Sequence, residues 1–223
     1  MLPFEGGLSG TENGTLLFAV LLAIIYLLYG SRRASWLKVA AKTLSVVLLA
    51  VLSVIQNAPW LLTLGLALCA AGDFFLAVED RSERFFLAGL VAFLLGHIAY
   101  IVLFSMLPET AATLPVWLRT AIIAVVIFVA LAMAAMLWQA AGNLRWPVMI
   151  YIMAVVAMAS SAVTNGGGLI TAGALSFMAS DTILATERFM MKPDAPGRAF
   201  TGPAVWITYF AAQLLILFGV LAA

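Results

Sequence analysis

Charge is what this sequence has least of. Only 9% of its 223 residues are Asp, Glu, Lys or Arg, while 65% are hydrophobic, and the mean hydropathy is +1.14. A water-soluble globule needs far more polar surface than that, so a soluble fold is excluded and a membrane protein is indicated. An excess of either sign is missing too: the formal net charge is +1, which removes the electrostatic basis for binding nucleic acid. There is no basic tail and no long polar segment to build a second domain, so residues 1–223 read as one transmembrane domain. Cysteine is reduced to Cys69, which cannot close an internal disulfide and sits in an apolar run, as a small buried core residue does. Histidine is reduced to His97, with no second histidine or cysteine at ligand spacing, so neither a metal nor another cofactor is expected. No Lys or Arg precedes the first apolar run, and the start carries Glu5 and Glu12 instead. The positive opening of a cleaved signal peptide is therefore lacking, and the first segment reads as a mature helix.

What is present is a succession of apolar segments, each about 17 to 25 residues and able to span a bilayer as a helix. Eight are expected, near 13–30, 36–55, 59–79, 85–106, 115–139, 145–164, 167–187 and 202–222. The breaks between them carry turn formers: Asn57-Ala58-Pro59, Pro108-Glu109, Leu114-Pro115, Gly142-Asn143, Asn165 before three glycines, and Pro193 to Gly197. Every proline is expected at or beyond a helix end, so no span needs a proline kink. The fold class is all-α, a membrane protein of eight transmembrane helices.

Sidedness follows from the basic residues, which are retained in the cytoplasm. Arg32, Arg33, Lys38, Arg81, Arg84, Arg145, Arg188, Lys192 and Arg198 all fall on one side, Arg119 falls on the other, and Lys42 lies inside the second helix. Both termini are expected to be non-cytoplasmic.

One short phrase occurs twice: Asp73-x-x-Leu76-Ala77-x-Glu79 and Asp181-x-x-Leu184-Ala185-x-Glu187. Each copy lies near the end of an apolar run, where a carboxylate is expensive and tends to be functional. Each aspartate precedes its glutamate by six residues, which puts it roughly 9 Å inside the cytoplasmic boundary at ~1.5 Å per residue. Lys42 comes to a similar level from Trp36, and His97 lies about 18 Å along its helix from Phe85, near mid-membrane. The repeat implies an internal duplication, with two parallel four-helix halves at approximately 13–106 and 115–222. Phe93-x-x-x-His97 and Tyr209-x-x-x-Gln213 extend the correspondence into the following helix of each half. Both aspartates facing a shared cleft is the economical arrangement. Trp36, Trp60, Trp117, Trp138 and Trp146 lie near span ends, as interface anchors.

These residues resemble the YhhN family, which includes the eukaryotic lysoplasmalogenases. The resemblance runs through Lys42, Ala71-Gly72-Asp73-x-x-Leu76, Phe93-x-x-Gly96-His97-x-x-Tyr100, Pro147-x-x-x-Tyr151, Gly173-Ala174-Leu175-x-Phe177-x-x-Ser180-Asp181-x-x-Leu184-Ala185 and Tyr209-x-x-x-Gln213-x-Leu215-Ile216. It departs at Thr43, where the family commonly has proline after the lysine. The resemblance implies hydrolysis of the vinyl ether of a lysoplasmalogen, giving a fatty aldehyde and a glycerophospho-alcohol. The implied partner is then a lysophospholipid entering laterally from the bilayer, and the implied location a bacterial inner membrane.

The chemistry suits the residues. An acid protonates the outer alkene carbon of a vinyl ether, and water captures the resulting oxocarbenium ion. Two carboxyl groups sharing one proton in a poorly solvated site can supply both the acid and the negative charge, as in glycosidases. Asp73 and Asp181 are therefore the candidate catalytic residues, one as general acid and the other as stabiliser and water-activating base. Lys42 could hold one aspartate ionised or meet the substrate phosphate, and Lys38 and Arg188 are placed for a headgroup. His97, Tyr100, Tyr151, Tyr209 and Gln213 are candidate substrate-binding residues, the alternative being hydrogen bonds between helices. Gly89, Phe93, Gly96, His97 and Tyr100 share one helix face, which suits close packing as well as a cleft. Glu79 and Glu187, among Arg81, Arg84 and Arg188, read as solvated ion pairs. Three other functions stay open: a solute or proton transporter, which the absence of a proline-broken span weighs against; an intramembrane aspartyl protease, although Asp73 and Asp181 lack the fuller Gly-x-Gly-Asp form; and a non-catalytic lipid-binding protein.

Overall fold

The computed structural model of the chain describes all residues except 1, 2, 6, 8, 9, 30–35, 80, 81, 108–113 and 193. Arg32, Arg33, Arg81, Pro108, Glu109 and Pro193 thus lie outside the described residues. Among the described residues eight α-helices follow one another: α1 Thr11–Tyr29, α2 Trp36–Ile55, α3 Trp60–Ala77, α4 Glu83–Met106, α5 Val116–Ala140, α6 Arg145–Asn165, α7 Gly168–Met190 and α8 Arg198–Leu221. All eight are long and apolar enough to cross a membrane, and the described residues contain no strand. That is the outcome hydrocarbon imposes, because only a helix satisfies every backbone donor and acceptor within its own segment.

The turns lie where the breakers are. Asn57 takes φ +51 between α2 and α3, and Gly142 takes φ +54 just past α5, a left-handed geometry that closes a helix with little steric cost for glycine. A short 3-10 turn, Gly142–Leu144, then leads into α6. At the start of the chain the fully buried Asn13 donates to the carbonyls of Phe4, Glu5 and Gly7 and accepts from the Phe4 amide, which folds this segment onto α1.

One expectation fails. Pro203 lies inside α8, which begins at Arg198 rather than near residue 202. The cause is the Arg198 side chain: it donates to the carbonyls of Glu187, Met191 and Lys192 at 2.6, 3.2 and 3.0 Å. The start of α8 is thereby fixed against the end of α7. Pro203 then forfeits one helical bond, to the carbonyl of Ala199, within the first turns of α8. With a proline inside a span, proline no longer weighs against a transporter.

The chain divides into two compact units, Met1–Ala99 and Tyr100–Ala223, with the boundary inside α4. In the first, α1 packs on α2 and α2 on α3, and α4 meets α3 through small residues. In the second, α5 packs on α6, α6 on α7 and α7 on α8. An apolar cluster of Val126, Ala130, Val155, Ala159 and Met178 ties α5, α6 and α7 together, with Tyr151 packed against it. Trp36, Trp60, Trp117, Trp138 and Trp146 are all exposed, at helix ends, whereas Trp206 is buried within α8.

Candidate active site

In the first unit, α2 and α3 bring Lys42 and Asp73 together. Asp73 is 1% exposed, and its Oδ1 lies 3.2 Å from the Lys42 Nζ. The pair is what the matched depths predict, and it answers the burial of a carboxylate with an ammonium. Further along the same two helices, the hydroxyls of Ser53 and Thr63 meet at 2.7 Å. Lys38 is one turn from Lys42 on the same face of α2. Both ammoniums lie over the ring of Tyr26 in α1, at 5.7 and 6.0 Å from its centroid, within the range of cation–π attraction. Glu79, at the end of α3, also acts electrostatically on Lys42. Tyr26 was not a candidate from the sequence. An aromatic residue in an apolar helix carries no signal of its own, and only the spacing of Lys38 and Lys42 could have pointed to a shared partner.

In the second unit, Asp181 is partly buried on α7, and the hydroxyl of Tyr151 on α6 donates to its Oδ2 at 2.9 Å. An ammonium thus meets Asp73, and a phenol meets Asp181.

The helix pairs that carry the aspartates cross in the same register. A Cβ added to Gly96 would lie 3.4 Å from the carbonyl oxygen of Gly65, and one added to Gly173 would lie 3.0 Å from that of Ala212. Beside Asp73, a Cβ on Gly89 would come 3.4 Å from the carbonyl oxygen of Gly72. Beside Asp181, the Ser180 hydroxyl donates to the carbonyl of Val205 at 3.0 Å. Gly65 and Gly72 precede Gly173 and Ser180 by the same interval that separates Asp73 from Asp181. Gly89 and Gly96 precede Val205 and Ala212 by the interval that separates His97 from Gln213.

The remaining candidates take mostly packing positions. His97 is fully buried, and its Nδ1 lies 2.6 Å from the Phe93 carbonyl one turn back on α4. A carbonyl can only accept, so Nδ1 carries the proton. The bond stays within its own helix. Tyr100 donates to Gln213 Oε1 at 2.7 Å, so these two residues bond each other across α4 and α8. Gln213 Nε2 is buried without a partner among the described residues. Tyr209 is 4% exposed, edge-on to Phe177 and beside Trp206. The shared face of α4 packs on α3: Gly89 against Leu76, Phe93 against Gly72 and Gly96 against the buried Cys69. Glu187 is no solvated ion of the Arg188 group. It pairs with Arg198 at 3.5 Å and accepts from the Thr201 hydroxyl, partly buried between α7 and α8. Arg188 is exposed in the last turn of α7.

The chain is 32% identical over 164 residues to a protein of Mycobacterium bovis named lysoplasmalogenase, and equally to one of that name from Mycobacterium tuberculosis. The match covers 72% of this chain and 59% of each relative, so the chain spans about three-fifths of their length. No solved structure matches it. The model of the YhhN family matches residues 37–220, a stretch that takes in every candidate residue named above, and the chain belongs to the YhhN family.

Proposed function

We propose that this protein is a membrane hydrolase that cleaves the vinyl ether bond of lysoplasmalogens, releasing a fatty aldehyde and a glycerophospho-alcohol. The observation that carries the reading is the pair of aspartates, each beside a helix crossing built in the same register in its own half. That correspondence supports a duplicated chain of two parallel four-helix halves within one membrane domain. The family and the printed name of the two relatives support the substrate class.

One carboxyl protonates the outer alkene carbon, and the other faces the oxocarbenium ion that forms. In a site shielded from water, a fixed carboxylate stabilises that cation better than bulk solvent does. Water adds to the cationic carbon, and the hemiacetal collapses to aldehyde and alcohol. The lysolipid enters from the bilayer with its tail among the helices. Lys38 and Arg188, toward the cytoplasmic boundary, meet its headgroup. Both termini lie outside the cytoplasm, in the plasma membrane of a bacterium. Lysolipids are soluble in detergent, so the assay is direct: purified protein is given a 1-alkenyl lysophospholipid, its 1-alkyl counterpart or its 1-acyl counterpart. Aldehyde from the alkenyl lipid, with no cleavage of the other two, is expected. Proton or solute flux in liposomes without any turnover would replace the hydrolase with a transporter.

A further inference from the structure

We infer that Trp138, Arg145 and Trp146 form a binding site for an anionic phospholipid, whose phosphate Arg145 takes at the membrane boundary. The site belongs wholly to the second unit and stands whether or not the protein is a hydrolase.

The tight connection between α5 and α6 builds the cluster. Gly142, at φ +54, and the 3-10 turn Gly142–Leu144 bring the last turn of α5 beside the first turn of α6. Beneath them Leu137, Ala141 and Val148 are buried, packed with Leu144 and with Ala185 and Phe189 of α7. The turn is thus fixed on an apolar base. Trp138 and Trp146, 40% and 60% exposed, and the exposed Arg145 stand outside it. The Arg145 Cζ lies over the Trp138 ring at 5.4 Å from its centroid, and the Trp146 ring meets that of Trp138 edge to face at 5.3 Å and 81°.

Charge points to the ligand. No acidic residue occurs between Glu109 and Asp181, so neither α5 nor α6 offers Arg145 a carboxylate. On α7, Tyr151 meets Asp181, while Arg198 and Thr201 meet Glu187. Among the described residues the Arg145 guanidinium makes no ion pair and no hydrogen bond, and neither indole N–H of Trp138 or Trp146 donates one. Arg145 also opens α6, at the positive end of the helix dipole, where a cation does not help the helix. Both charges attract an anion instead. Tryptophan at a span end sits at the level of the headgroups, so the anion within reach is a lipid phosphate. A guanidinium matches its oxygens with paired N–H donors, and the two indoles add one donor each. The guanidinium occupies the face of Trp138 and repels the ammonium of choline, so the cluster is no cage for a zwitterionic headgroup. A headgroup of net negative charge, such as that of phosphatidylglycerol, is the one that fits.

Lipid titration tests this directly. The full chain in detergent micelles is titrated with phosphatidylglycerol or with phosphatidylcholine of the same acyl chains, and native mass spectrometry gives the first binding constant for each. Wild type should bind phosphatidylglycerol about fivefold more tightly than phosphatidylcholine, the worth of one arginine at an anionic lipid surface. Arg145→Ala should lose that preference, through about fivefold weaker binding of phosphatidylglycerol. Trp138→Phe combined with Trp146→Phe keeps both rings but removes both donors, and should weaken phosphatidylglycerol by roughly fivefold. Arg119→Ala removes the arginine at the opposite end of α5 and should leave both constants unchanged. Each variant is first shown folded by its unfolding transition, and Arg145→Gln takes the place of Arg145→Ala should the alanine protein unfold early. Equal binding of the two lipids by wild type, a preference that survives loss of Arg145, or an equal loss in Arg119→Ala would overturn the assignment.

Discussion

Replacing Lys42 with methionine isolates the interaction on which the first unit depends. At 3.2 Å, two unit charges in an effective dielectric of about 20 attract by about 5 kcal/mol. Breaking a buried pair by removing one partner costs about 3 to 5 kcal/mol, because the survivor is left uncompensated. Lys42→Met should therefore lose about 3 to 5 kcal/mol of stability, the methionine retaining most of the packing of the lysine stem. Asp73→Asn should lose a comparable amount. The double variant should recover most of it, since an apolar or neutral pair of similar volume is often as stable as the ions it replaces. The measurement is reversible unfolding by sodium dodecyl sulfate in mixed micelles, followed by far-ultraviolet circular dichroism, for all four members of the cycle. A coupling of about 3 kcal/mol or more is expected. Additive single losses, or a Lys42→Met protein within about 0.5 kcal/mol of wild type, would refute the idea that this ion pair holds Asp73.

Four further outcomes follow from the packing. Gly173→Ala should destabilise by about 1 to 3 kcal/mol, because its new Cβ would meet the Ala212 carbonyl oxygen and the Ile216 amide nitrogen, both at 3.0 Å. Gly202→Ala, with nothing within 4 Å, should instead gain about 0.5 to 1 kcal/mol from helix propensity, and the same micelle assay separates the two. Tyr100→Phe strands the fully buried Gln213 oxygen and should cost about 1 to 2 kcal/mol, with Gln213→Leu in the Tyr100→Phe background restoring part of it. Arg198→Ala frees the carbonyls of Glu187, Met191 and Lys192. Since its side chain is about one-third exposed, a loss of about 1 to 2 kcal/mol is expected, seen as faster hydrogen exchange confined to the junction of α7 and α8.

The membrane helices were legible because hydrocarbon leaves the backbone no alternative. A continuous apolar run bounded by turn formers must be a helix, and α2 was placed at 36–55 to the residue. The Lys42–Asp73 pair was legible for the same reason, since helix rise turns residue number into depth. What the sequence concealed was the direction of side chains. Tyr100 and Gln213 each look like a ligand-facing polar residue, yet they bond each other. Arg198 looks like one more cytoplasmic cation, yet its reach back to three carbonyls starts α8 early and brings Pro203 inside the helix. Tyr151 and Lys42 differ in charge, but nothing in the repeated phrase says which aspartate each one meets. That choice is made by helix packing.

The central claim is that two carboxyls carry the chemistry, and aldehyde release by three proteins tests it most directly. Wild type, Asp73→Asn and Asp181→Asn, each shown folded by its unfolding transition, are given the same 1-alkenyl lysophospholipid. The account predicts release by wild type and a fall of at least roughly a hundredfold in both variants. Near-normal release by either variant would contradict it.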